Sequence, residues 1–198
     1  MSSDALAITS DADRQTGQPP RNRRQEETFR KVLAAGIETL REKSYADLTV
    51  RAVAARAKVA PATAYTYFSS KNHLVAEIFW RALTERPRVT SRKTAEYPRV
   101  VEVFQDLADF VANDPELSSA VTFALLSEEP DVKHLRVLIG TEINERIAAA
   151  LGDEPEPEVM DALSLAWSGA LLQVGMGHAR AEDLGTRLAR VAHLIMRP

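Results

Sequence analysis

Residues 48–79 read LTVRAVAARAKVAPATAYTYFSSKNHLVAEIF, and the punctuation inside this stretch decides the fold. Thr49 stands where an N-cap belongs, ahead of a short helix carrying Val53, Ala54 and Ala57. Lys58 and Val59 form a tight turn. Pro61 then suits the first turn of a third helix, where its missing N–H costs nothing, and that helix is expected to reach about Phe68. Ser69 and Ser70 interrupt, and from Lys71 onward Leu74, Val75, Ile78, Phe79, Ala82 and Leu83 recur at helical spacing. Upstream, Phe29, Val32, Leu33, Gly36, Ile37 and Leu40 lay one apolar stripe on a helix from Glu26 to Leu40, which Lys43 to Asp47 breaks. Two short helices joined by a tight turn and flanked by longer ones make a helix-turn-helix. Its second short helix can lie in a major groove.

That second helix and its flanks, Ala60 to Tyr67, read APATAYTY. Small residues, the Thr63 and Thr66 hydroxyls, and the Tyr65 and Tyr67 side chains can reach phosphates and base edges without colliding with a duplex, and Ala62 and the Thr methyls can pack on thymine methyls. Tyr65 and Phe68 also make good core residues that would lock the two helices together. Arg21, Arg23 and Arg24 are expected to precede the first helix as a flexible basic arm suited to phosphate or minor-groove contact. Arg56 and Lys58 read as solvated rather than base-reading.

Charge is distributed in the same sense. The net charge of −3 conceals a front, residues 21–93, with 16 Lys and Arg against 7 Asp and Glu, and a remainder, residues 94–198, with 8 against 18. A basic front on an acidic body directs one face toward phosphate while the rest repels it. Chance clustering of solvated charges would look the same if it stood alone.

Working outward, Arg86 to Pro98 is polar, basic and bounded by Pro87 and Pro98, which predicts a linker. Beyond it, Val100 to Ala112, Pro115 to Leu126, Val132 to Leu151, Val159 to His178 and Ala181 to Met196 all show helical patterns, and no strand-like alternation survives. The chain reads as all-α with eight or nine helices. Its expected organisation is a disordered tail over residues 1–20, a DNA-binding head over 21–84, and a helical body over 85–198.

The run Leu48 to Phe79 resembles the tetracycline-repressor (TetR) family of bacterial regulators. It matches that family's Thr at the start of helix two, its AVAARAKV helix and turn, its Thr-x-Tyr-x-x-Phe recognition helix, and its Ser-Lys-x-x-Leu entry to helix four. The resemblance implies that Thr49 and Arg51 contact phosphate, that Ala62, Thr63, Tyr65, Thr66 and Tyr67 face the groove, and that Lys71 binds a phosphate at the mouth of helix four. Two positions depart from the family pattern, which favours Gly where this chain has Lys58 and Ser44. Both are sites where positive φ is expected, at about 1 kcal/mol each for a residue with a side chain. The segments Asn113 to Ala120 and WSGALL from Trp167 also resemble, faintly, actinobacterial regulators of steroid and lipid breakdown within the family.

Such regulators carry a ligand pocket and a dimer interface behind the head. Phe79, Leu83, Phe104, Leu107, Phe110, Val121, Phe123, Leu125, Ile139, Ile143 and Trp167 are the pocket candidates for an apolar small-molecule effector, and each is equally good plain core. Leu163, Leu171 and Val174 on one helix, with Leu184, Leu188, Val191 and Ile195 on the next, could make a four-helix bundle with a second copy, or could face their own core. The expected function is a homodimeric repressor released from a palindromic double-stranded DNA operator by its effector. A helical protein-binding adaptor is the alternative, and an enzyme a more distant one: the chain has no Walker loop, GxGxxG, HExxH or nucleophile elbow. With 0 Cys and four scattered His, no metal or cofactor is expected. No apolar run is long enough to span a bilayer and no secretory signal opens the chain, so a cytoplasmic location without membrane attachment is expected.

Overall fold

A computed structural model describes residues 22–197, all of whose regular structure is helical. Nine α-helices occur among them: α1 (Arg23–Glu42), α2 (Val50–Arg56), α3 (Pro61–Tyr65), α4 (Lys71–Glu85), α5 (Glu96–Asn113), α6 (Pro115–Ala124), α7 (Pro130–Leu151), α8 (Pro157–Gly175) and α9 (Leu184–Ile195). A short 3₁₀ turn, Ala181–Asp183, leads into α9. No helix of the described residues is long and apolar enough to cross a membrane.

The chain divides into two compact units. The first joins residues up to Arg86 with Phe123–Ile139, so the head takes in the end of α6 and the first turns of α7. The second comprises Pro87–Thr122 and the residues from Gly140 onward.

In the first unit α1 starts earlier than its apolar stripe suggests. Asn22 and Gln25 form a reciprocal capping box, Asn22 Oδ1 accepting from the Gln25 N–H at 3.0 Å and Gln25 Oε1 from the Asn22 N–H at 2.9 Å. Arg23 and Arg24 therefore sit in the first helical turn, which replaces the expected flexible arm; Arg21 lies outside the described residues. Phe29, Val32 and Leu40 face the core, where α1 packs on α2 and α4. Gly36 lets α4 come close: a Cβ there would lie 2.9 Å from Ile78 Cδ1.

The turn between α2 and α3 is a Schellman motif. The Lys58 N–H donates to the Ala55 carbonyl at 3.2 Å and the Val59 N–H to the Ala54 carbonyl at 3.0 Å, and Lys58 takes φ 56°, the left-handed conformation expected there. At Ser44 the expectation of positive φ is corrected, since Lys58 is the one non-Gly residue with positive φ among the described residues. There the chain leaves α1 through an extended Lys43 and is closed by the Ser44 hydroxyl, which donates to Asp47 Oδ2 at 2.7 Å.

In the second unit α9 packs on α5 and α8. Arg99 of α5 closes the end of α7, donating to the Ala150 carbonyl at 2.7 Å and the Leu151 carbonyl at 3.1 Å, two of the acceptors that a helix C-terminus leaves open. Pro98, expected to bound the linker, instead lies in the first turn of α5, where an N–H is not needed. Buried Glu142 gathers Arg88 and Arg146, with contacts of 2.5 Å and 2.8 Å.

Candidate nucleic-acid interface

α3 is one and a half turns long and anchored by what surrounds it. Pro61 occupies its first position, and the chain continues as a turn in which the Tyr67 and Phe68 N–H groups both donate to the Ala64 carbonyl. Ala64 and Phe68 are fully buried. The Phe68 ring stacks on Phe29 at 5.2 Å and meets the His73 ring edge-on at 5.7 Å, so it belongs to the core and holds α3 against α1 and α4. The opposite side of α3 is open: Ala62, Tyr65 and Thr66 are exposed, Tyr65 at 49%, and Thr63 is half-buried. Of the two roles open to Tyr65, its exposure removes the core one. Tyr67 is half-buried and leans on Phe29 at 5.8 Å in an edge contact. The Thr66 hydroxyl donates to the Thr63 carbonyl, which leaves its lone pairs outward.

The elements on either side of α3 carry cations. Thr49 caps α2, its hydroxyl oxygen accepting from the Ala52 N–H at 3.1 Å, and is exposed beside Arg51. Arg23, Arg24, Arg51 and Lys58 are exposed, and the charges of Arg23 and Arg24 act on Glu27 of the same helix. Arg56 is committed elsewhere: it pairs with Glu42 and lies 3.7 Å from Glu38, so it ties α2 to α1. Lys71 donates to the Tyr45 and Ala46 carbonyls at 3.0 and 3.2 Å and sits 4.5 Å above the Tyr45 ring. Those bonds fix the ammonium at the mouth of α4 and use two of its three N–H donors.

The sequence missed Glu129 and Asp131. Both reach the entry to α4: Glu129 Oε1 accepts from Asn72 at 2.7 Å, and Asp131 Oδ2 accepts from the Ser69 hydroxyl at 2.6 Å. Burial pushes the Glu129 carboxyl up, but hydrogen bonds from Ser70, Asn72 and Ser127 outweigh it and hold the group below its ordinary value.

The expected pocket residues are spread over both units. Phe79, Leu83 and Ile139 are buried and Leu125 half-buried in the first; Phe104, Leu107, Val121, Ile143 and Trp167 are buried and Phe110 half-buried in the second. Phe123 is the exception, 49% exposed and stacked on the Tyr45 ring at 6.1 Å. A cleft of about 500 Å³ in the second unit opens among Glu96, Tyr97, Leu151, Glu156 and Val159, and none of the expected pocket residues lines it. Among the described residues no group of His, Asp and Glu gathers to hold a metal ion.

The expected interface residues also divide. Leu163, Leu184 and Leu188 are buried within their own unit, Leu171, Val174 and Ile195 are half-buried, and Val191 is exposed. The exposed apolar residues of α8, its C-cap and α9 are Leu165, Leu172, Met176, Val191 and Leu194, of which Val191 belongs to the expected set.

Comparison with known proteins agrees with this geometry. Residues 32–78 match the family model for bacterial regulatory proteins of the tetR family. An HTH-type transcriptional regulator of Mycobacterium tuberculosis is 51% identical over 203 residues, covering 99% of this chain and 94% of the relative. The HTH-type transcriptional repressor KstR of Mycolicibacterium smegmatis is 28% identical over 184 residues, covering 87% of this chain and 88% of KstR. A TetR transcriptional regulator from Rhodococcus sp. RHA1 shares the fold, with a TM-score of 0.71 at 22% identity over 87% of this chain and 97% of that one. An exposed α3 on a buried aromatic anchor is thus accompanied by near full-length kinship, and the chain belongs to the tetR family of bacterial transcriptional regulators.

Proposed function

We propose that the protein is a dimeric repressor that binds a palindromic operator through α3 and is released by an apolar small molecule. The observation that carries this reading is the open side of α3, where Ala62, Tyr65 and Thr66 are exposed while Ala64 and Phe68 are buried beneath them. A helix built this way offers base-reading side chains on a rigid seat, and Thr49, Arg51 and Lys71 around it supply phosphate contacts that set the register. The kinship with KstR proteins, named as repressors, supports repression over activation.

Dimerisation is supported by the exposed apolar residues Leu165 and Leu172 on α8, Met176 at its C-cap, and Val191 and Leu194 on α9. Gly169, with open space where a Cβ would be, lies on α8 as well. Two copies joined there would form a four-helix interface. An effector is supported by α4, whose Glu77 Oε2 and Trp80 Nε1 are buried without a hydrogen-bond partner; the polar end of an otherwise apolar ligand would satisfy one of them. Such a ligand acts only through unequal affinity for two arrangements of the dimer.

Selection of genomic fragments on the purified protein, followed by footprinting, tests the reading. The expected result is protection of two inverted half-sites whose centres lie about one helical turn or somewhat more apart. Recovery of fragments with no shared sequence at physiological salt would contradict it.

A further inference from the structure

The junction between α3 and α4 is closed only in part by its own neighbours. Ser70 caps α4 by accepting from the His73 N–H at 3.0 Å, yet its hydroxyl proton goes to Glu129. The other Glu129 oxygen accepts from Asn72 Nδ2 at 2.7 Å and from the Ser127 hydroxyl at 3.0 Å. Asn72 in turn accepts from the Tyr45 hydroxyl, in the loop between α1 and α2. Asp131 accepts from the Ser69 hydroxyl at 2.6 Å and lies 3.5 Å from His73 Nδ1. One short segment, from Phe123 on Tyr45 to Asp131 on Ser69, therefore grips both ends of the helix-turn-helix.

Ser69 directly follows Phe68, whose N–H closes the turn after α3. The direction in which α3 leaves the head is set at this junction, and the acceptors of the Ser69 and Ser70 hydroxyl protons and of the Asn72 side-chain amide come from 57 to 62 residues away. A negative charge beside a phosphate-facing surface would be expected to weaken DNA binding, so two carboxylates retained here need a compensating role.

We propose that Glu129 and Asp131 are positioning residues for operator recognition, acting through Ser70, Asn72 and Ser69 to hold α3 at the angle that reads bases. This rests on the DNA-binding reading above and adds a clasp to it. The clasp is built from hydrogen bonds, and the carboxylate charge is incidental to it. A glutamine at 129 keeps two of its three bonds, its carbonyl still accepting from Asn72 and Ser127, and reverses the third, its amide donating to the Ser70 oxygen.

The test compares affinity for a genomic duplex enriched by the wild-type protein with affinity for a scrambled duplex of the same length, thermal unfolding being followed alongside. Glu129→Ala is expected to lower the ratio of the two affinities about tenfold, with scrambled-duplex affinity unchanged or raised, while Glu129→Gln stays within about threefold of wild type. Asp131→Ala, at a more exposed position, is expected to lower the ratio by about threefold and keeps the proposal open to refutation should Glu129→Ala fail to fold. A parallel rise of both affinities at constant ratio would show a charge effect alone and overturn the clasp. So would equal losses in Glu129→Gln and Glu129→Ala. If the wild-type chain enriches no fragment, the DNA-binding reading itself fails, and that result is distinct from any change in ratio.

Discussion

The guanidinium of Arg81 lies 4.5 Å from the centroid of the Phe29 ring while Arg81 Nε holds Glu77 Oε1 at 2.7 Å. Phe29 is the ring on which both Phe68 and Tyr67 rest, so a buried ion pair on α4 backs the aromatic seat of α3. Charges buried this deeply are costly to leave unmatched.

Arg81→Met on its own is therefore expected to destabilise the protein by about 3–5 kcal/mol, since it strands Glu77 in the interior. The double variant Glu77→Leu, Arg81→Met removes both charges and is expected to recover most of that loss. Equilibrium urea unfolding of the wild type and the two variants checks this; equal losses in single and double variants would refute the pairing.

Lys58 carries the left-handed turn that glycine adopts without strain. Lys58→Gly is expected to change stability by less than about 1 kcal/mol in the favourable direction, and Lys58→Val to cost about 1–2 kcal/mol, because a β-branched side chain tolerates positive φ least. The midpoint of denaturant unfolding reads both.

His73 is buried, and burial pushes its imidazole below the ordinary value of 6.5 despite the carboxylates of Asp131, Glu77 and Glu129. Its Nδ1 accepts from the Ser69 N–H at 3.2 Å, which requires that nitrogen to be unprotonated. The unfolded chain takes up this proton first, so the contribution is complete above about pH 6.5 and is lost as the pH falls toward the folded value. Thermal unfolding of wild type and His73→Gln between about pH 7.5 and 5 is expected to show a steeper acid loss in the wild type. Identical slopes would contradict this.

Gly175 of α8 faces Thr122, and a Cβ there would lie 2.4 Å from Thr122 Oγ1 and 2.5 Å from Thr122 Cβ. The second distance involves an atom that side-chain rotation does not move, so Gly175→Ala is expected to cost about 1–3 kcal/mol. Pairing it with Thr122→Ala should restore part of that loss, as measured by the same unfolding experiment.

Much of the head is written locally. Thr49, Pro61 and the stripe from Phe29 to Leu40 each act within one or two turns, so their signals lie in adjacent residues and mark α1 to α4 to within a few positions. Two boundaries moved for local reasons as well: the capping box of Asn22 and Gln25 pulled Arg23 and Arg24 into α1, and the tolerance of a first helical turn for proline put Pro98 inside α5. The part of the site that escaped is non-local. Glu129 and Asp131 are polar, lie at a helix start, and meet Ser70 and Ser69 across 59 and 62 residues, so no periodicity announces them. On α8 the difficulty is the opposite: apolar residues lie on both its sides, and the buried side of Leu163 and Trp167 looks in sequence just like the open side of Leu165 and Leu172.

The central claim, that α3 and the turn after it read DNA, is tested most directly by titrating the wild-type protein, Thr63→Ala, Tyr67→Ala and Arg51→Ala against its enriched duplex at several salt concentrations. Thr63→Ala and Tyr67→Ala are expected to lose about 1–3 kcal/mol of operator affinity at unchanged salt slope, and Arg51→Ala to lower the slope by about one. Operator affinity that survives both Thr63→Ala and Tyr67→Ala at full strength would contradict the account.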